Sequence, residues 1–172
     1  MGAALRLPDP GLARGGFSIC LTQGMCIVDP LFLPQSASVE REVLACLLLD
    51  PSLTPAVTSR IGDDDFHNEV NRFIWRGAVA AYQRHSDYDE VILEEVLRDH
   101  GTWGRIGGHT LVQLLNRAGT NNMLDSYVDR LLAISARRRM HGAADELGSI
   151  AMDGDLGPEE AISEAEAVVG RL

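Results

Sequence analysis

The 172-residue chain contains no lysine; all fifteen of its basic residues are arginines. Any mechanism that needs a lysine is therefore excluded. The phosphate-cradling loop GxxxxGK[ST] needs a lysine and is absent, so ATP hydrolysis lacks its machinery. Aromatic residues make up only 5% of the chain. A core must then be built from Leu, Val, Ile and Ala, the side chains that helix-on-helix packing uses. Cysteines number three, Cys20, Cys26 and Cys46. The odd count and irregular spacing imply no disulfide framework and fit a reducing cytoplasm. No apolar run reaches the roughly 18 residues a membrane span requires. Residues 17–33 are fairly apolar, but Asp29 and Pro30 interrupt them and the segment leading in is not strongly basic. They read as a non-secretory leader, within which Met25 offers a second possible start.

Metal-ligand and nucleophile patterns are also missing. His67, His85, His100, His109 and His141 are scattered, with no HExxH or CxxC spacing among them. A ligand needs partners as well as an imidazole, so these read as surface or packing histidines. Asp63-Asp64-Asp65 offers carboxylates, but a Ca²⁺ loop needs them at alternating positions with a later Glu. Placed between Gly62 and a helix, the triplet reads as a solvated loop and cap. Cys46 lies on an apolar helix face and reads as a small hydrophobe. No serine sits on a nucleophile elbow. The expectation is a chain with no catalytic residues, no cofactor and no metal.

What the chain does have is acid, helix periodicity and one arginine cluster. Its formal charge is −10, a surface that repels phosphate backbones. Protein partners are expected, without strong direct binding to nucleic acid and without membrane contact. Residues 1–33 are dense in Gly and Pro and read as an irregular arm. From Ser36 the texture becomes helical. Val39, Val43, Leu44, Cys46 and Leu47 define the apolar face of a helix over about Ser38–Leu49, stopped by Asp50-Pro51. Thr54-Pro55 is expected to cap and start a short helix carrying Val57 and Ile61. Gly62 is expected to end it in the left-handed conformation.

A helix over about Glu69–Gln83 turns Val70, Phe73, Ile74, Ala78, Ala81 and Tyr82 inward. Asp89 caps the next, which buries Ile92, Val96 and Leu97. After a turn at Gly107-Gly108, Thr110 opens a short helix with Leu111, Leu114 and Leu115. A long helix then runs from about Asn122 to Ile150, striped by Leu124, Val128, Leu131, Leu132, Met140, Leu147 and Ile150. Residues 152–157 form a turn. Pro158, Glu159 and Glu160 suit the start of a last helix, in which Ile162, Ala165, Val169 and Leu172 recur at three and four residues. The last two helices read as an antiparallel hairpin with a narrow coiled-coil-like seam. No stretch alternates as a strand. The predicted fold is all-α: an arm over 1–33, a helical bundle head over 34–120 and a C-terminal antiparallel hairpin over 121–172.

A two-helix hairpin cannot bury both sides of its apolar stripes against itself, so this one needs the head or another chain. The candidate interface comprises Val128, Leu131, Leu132, Arg137, Arg138, Arg139, Ile162, Ala165, Val169 and Leu172. Arg137–Arg139 reads as a solvated helix face paired with Asp145, Glu146 or the acidic second arm. A partner's carboxylates or a phosphate are the other reading. Two further classes compete with an interaction module. One is a helical DNA-binding regulator that uses Arg137–Arg139. The other is a metal-dependent enzyme built on Asp63–Asp65.

Residues 34–50 resemble the opening of the N-terminal domain of the DnaB family of replicative helicases, through Pro34, Ser36, Glu40, Val43, Leu44, Leu47–Leu49 and Asp50. The resemblance continues in order. It runs through Asp65-Phe66 and Asn71–Trp75, Tyr88–Val91 with Leu93 and Leu97, Ile106–Leu111, Asn122–Leu124 with Tyr127, and Glu164–Glu166. The chain departs from that family at Ser38, Ala45, His67 and Asn71. The resemblance implies a helical head plus a hairpin, with hairpins pairing and the pairs forming a ring-shaped collar. It implies docking of the primase C-terminal domain and contact with a loader or the intact helicase, in the cytoplasm. The family's ATPase domain is not in the sequence. A fragment of a helicase and a stand-alone helicase-binding modulator both remain open.

Overall fold

The Val39–Leu47 periodicity forms the helix it predicts. In a computed structural model that describes residues 37–117 and 123–172, this is α1 (Ala37–Leu49). Val39, Val43, Leu44, Cys46 and Leu47 are all buried on it. The arm expected over 1–33 lies outside the described residues, together with Cys20, Cys26, Pro34, Ser36 and Asn122. The other helices are α2 (Thr54–Thr58), α3 (Glu69–His85), α4 (Glu90–Asp99), α5 (Trp103–Ile106), α6 (Gly108–Arg117), α7 (Leu124–Met152) and α8 (Pro158–Val169). Two 3₁₀ turns, Pro51–Leu53 and Asp63–Asp65, complete them, and no strand occurs among the described residues. The fold is all-α.

α1 is the central element, packed against α3, α6 and α7. The core around it includes Phe66, Ile74, Leu93, Leu97, Leu114, Val128 and Leu131, each at most 1% exposed. Phe66 stacks on Trp75 with ring centroids 5.1 Å apart, so two of the few aromatics sit together. α3 and α4 approach closely because Gly77 has no side chain. A Cβ there would lie inside the van der Waals shell of Leu97 Cδ2 and 3.2 Å from Leu93 Cδ1.

Several expected caps are corrected. Asp89 caps α4 as predicted, accepting from the Val91 and Ile92 amides at 3.0 and 2.9 Å. Thr54 does not cap α2: Leu53 holds that position and Thr54 is buried in the first turn. The reason lies upstream. Asp50 accepts from the Ser52 amide and launches a 3₁₀ turn that runs straight into α2. Gly62 is not left-handed. It is extended at φ −127° and donates its N–H to Asp65 Oδ2 at 2.9 Å, starting the next turn instead of ending α2. Among the described residues, positive φ occurs instead at Ser86, Gly101 and Gly107. Nor does Thr110 open α6, which begins at Gly108; the Thr110 hydroxyl donates back to the Ile106 carbonyl at 2.6 Å.

Tyr88 closes the far side of the core. Its side chain is 4% exposed and its hydroxyl donates to the Leu47 carbonyl at 3.2 Å. Burial pushes its pKa up to about 12; the Thr54 hydroxyl partly opposes this and Asp87 adds to it. An unfolded tyrosine ionises near 10. The folded pKa is the higher one, so the Tyr88 contribution is complete below about pH 10 and is lost as pH rises toward 12. Urea unfolding is expected to show a loss on the order of 2–3 kcal/mol across that window. Tyr88→Phe should flatten that limb, and an equally steep limb in the variant would refute the assignment.

Candidate interaction surface

The long helix serves two structures. Its first half, with Leu124, Val128, Leu131 and Ile134, is buried in the head core against α1. Only its second half pairs with α8. Of the candidate interface residues, Val128 and Leu131 are thus inside the head at 1% and 0% exposure, and Leu132 is half-buried against the same core.

The arginine triplet is split by helix geometry, since consecutive residues point about 100° apart. Arg138 turns onto the head and is half-buried, while Arg137 and Arg139 are exposed. Arg138 Nη2 donates to the Asp65 carbonyl at 2.6 Å. Burial pulls its pKa down, while the Glu40 and Asp65 charges push it up and those of Arg72 and Arg139 pull it down. The expected pairing of the triplet with Asp145 and Glu146 is corrected. Asp145 lies 3.0 Å from His141, and Glu146 takes Arg171 at 2.6 Å.

The residue missed from the sequence is Glu40. It is 0% exposed. Its carboxylate accepts from the His67 amide at 2.8 Å, the Asn68 amide at 3.2 Å and Asn71 Nδ2 at 2.8 Å. Arg72 grips the next carbonyl, Phe66 O, at 3.1 and 2.7 Å. Segment 65–68 is thereby held through its amides by α1 and through its carbonyls by α3 and α7. A signal existed: Glu40, Val43, Leu44 and Leu47 share one helix face, so a carboxylate stands in an apolar stripe. The Asp63–Asp65 triplet is also more than a solvated loop. Asp63 pairs with Arg76, and Asp65 is 8% exposed. Among the described residues no group of three His, Cys, Asp or Glu side chains is placed to hold a metal ion. Burial, with help from Glu42, pushes the Cys46 thiol up, away from its nucleophilic form.

The hairpin seam also differs from the expected stripe. Val168 is 3% exposed and Ala143 9%, with Ala161, Ala165, Leu147 and Ile150 half-buried beside them. Ile162, Val169 and Leu172 are instead exposed at 62, 55 and 56%. The contact line has slipped one residue along α8, because α8 starts only after the extended Gly157 and settles its small Ala161 and Ala165 against α7. Met140 is likewise exposed at 61%. Met140, Ala144, Leu147 and Ala151 recur at three and four along α7, as do Ile162, Ala165 and Val169 along α8. At about 100° per residue both sets fall on the same side of the hairpin, beside the seam. That side is a bare apolar face. On the opposite side a cleft of about 300 Å³ is lined by Glu146, Ser149, Ile150, Glu164, Val168 and Arg171. The head carries a wider open cleft of about 640 Å³, lined mainly by Arg41, Asn68, Asn71, Thr110, Gln113 and Asn116. These amides and hydroxyls suit hydrogen bonding, and none is a paired acid and base. No helix among the described residues is long and apolar enough to cross a membrane.

Comparison with known proteins agrees with this architecture. Among solved structures, the N-terminal domain of DnaB helicase from Mycobacterium tuberculosis is similar at a TM-score of 0.74 and 23% identity, over 81% of this chain and 99% of that one. The N-terminal domain of DnaB helicase from Helicobacter pylori, a structure described with its interactions with primase, matches at 0.62 and 21%, over 70% and 95%. At such identities these structures carry the fold alone. No curated protein matches the chain. The model of the DnaB-like helicase N-terminal domain matches residues 33–132, more than half of the chain and a part of the helicase that is separate from its ATPase domain. The chain belongs to the family of DnaB-like helicase N-terminal domains.

Proposed function

We propose that this chain is a non-catalytic collar module of a replicative helicase, which pairs with a second copy through its hairpin and docks the primase C-terminal domain. The observation that carries this reading is the bare apolar face of the hairpin, with Met140, Ile162 and Val169 each more than half exposed. An apolar stripe on a surface helix is stable in water when something covers it. The working parts are the head, which extends through the first half of α7, and the hairpin beyond it. Primase enters the proposal because the H. pylori relative is described with primase interactions. A loader and the intact helicase are further partners, in the cytoplasm. Tight DNA binding is not part of the role: with Arg138 engaged on the head, the exposed arginines of the triplet are two, on a chain of charge −10.

The test is the mass of the purified chain by size-exclusion light scattering, alone and with the primase C-terminal domain from the same organism. A dimer or ring that gains the mass of primase is expected. A monomer at all concentrations, indifferent to primase, would refute the reading.

A further inference from the structure

Two packed bodies hold α7, and their grips do not overlap. The head holds the first half, where Leu124, Val128, Leu131, Ile134 and Ser135 are buried. Its last tie is Arg138, half-buried with its guanidinium on the Asp65 carbonyl. The next buried residue of α7 is Ala143, where the seam with α8 begins. The hairpin ends close by: Arg171, just past α8, reaches Glu146 at 2.6 Å. The main packing of α8 is on α7. Between the two grips lie Arg139, Met140, His141 and Gly142, about one turn of single helix. Arg139, Met140 and Gly142 are exposed, and His141 pairs with Asp145 of the same helix.

Neither packing nor backbone shape requires a glycine in this turn. A Cβ at Gly142 would meet nothing within 4 Å, and its φ is not positive. Glycine inside a helix weakens it, because it has the most backbone freedom to lose. At Gly148 the same Cβ test is also open, but its neighbours Leu147 and Ile150 are half-buried at the seam. Gly142 lies where the grip of the head has ended and that of α8 has only begun. We infer that α7 is jointed at Arg139–Gly142, and that head and hairpin swing about this turn while each keeps its own packing. A glycine-weakened turn without tertiary support is where a helix bends and opens at least cost. The joint belongs to the single chain and does not rest on the collar reading. In a collar it lets paired hairpins present their heads in more than one orientation.

The test reads amide exchange and a spin-label distance in the full chain. After correction for intrinsic rates, amides 142–146, whose helical bonds cross the joint, should exchange faster than both flanks, 128–135 in the head and 147–150 in the seam. Gly142→Ala fits without a clash and should slow them about fivefold. Gly148→Ala should move them less. Nitroxides at Glu95→Cys on α4 and Ser163→Cys on α8, both exposed positions, report the swing, with Cys20 and Cys26 changed to Ser. Dilution into unlabelled chain leaves within-chain distances alone. A broad distribution that narrows in Gly142→Ala is expected. A single narrow distribution common to both chains overturns the joint. So does protection that falls steadily from head to tip and does not respond to Gly142→Ala. A chain that stays monomeric would sink the collar reading and leave this test intact.

Discussion

Glu40→Ala is expected to lower the unfolding free energy by about 3–5 kcal/mol, a large share of what a domain of this size holds. The carboxylate is fully buried and satisfies two backbone amides and one side-chain amide. Each charge-assisted bond of this kind contributes about 1.5–3 kcal/mol, and a buried donor left without a partner costs about 1–3. The substitution also removes an anionic charge that helps keep Arg138 protonated. Glu40→Gln keeps an acceptor and nearly the same volume, so its loss should be smaller, about 1–3 kcal/mol. Urea midpoints with unchanged slopes would measure both. An alanine variant within about 1 kcal/mol of wild type would refute the network's structural role. Because α1, segment 65–68 and α7 meet at this carboxylate, local loosening should appear first in the amide exchange of His67 and Asn68.

Ile162→Arg combined with Val169→Arg is expected to abolish self-association at concentrations where wild type pairs. Both side chains are more than half exposed within the chain, so neither change should move the stability of the isolated fold by more than about 0.5–1 kcal/mol. At a paired face the same residues would be central and dry. Two buried cations facing apolar neighbours, or their own copies across a two-fold axis, would cost on the order of 3–5 kcal/mol. That is a weakening of a few hundredfold or more. Val168→Ala is the counter-case. Val168 belongs to the internal seam at 3% exposure, so its loss should loosen the hairpin itself. Light scattering at matched concentrations, with circular dichroism as the fold control, separates the two. A double variant that pairs like wild type would show that the bare face is not the interface.

Much of this molecule was legible in one dimension. Apolar periodicity located every long helix, because burial of one stripe is a local pattern with a period of 3.6 residues. The lack of lysine and of a phosphate-cradling loop could also be read directly from these residues. Six short resemblances in sequence order pointed to the family. The hairpin, too, was readable from Pro158 and the flanking repeats. What the sequence could not decide was phase and partnership. A stripe with candidates at 161, 162, 165, 168 and 169 does not say which of them faces α7. Packing of the small Ala161 and Ala165 chose, and left Ile162 and Val169 bare. Three consecutive arginines look alike in sequence, but a helix fans them about 100° apart, and only the docking of α7 on the head turned Arg138 to the Asp65 carbonyl. Glu40 could be read from the sequence as one position of the family resemblance, with nothing to mark it as buried. Its burial was decided by segment 65–68, about 27 residues away, whose free amides needed an acceptor that only the folded chain could bring.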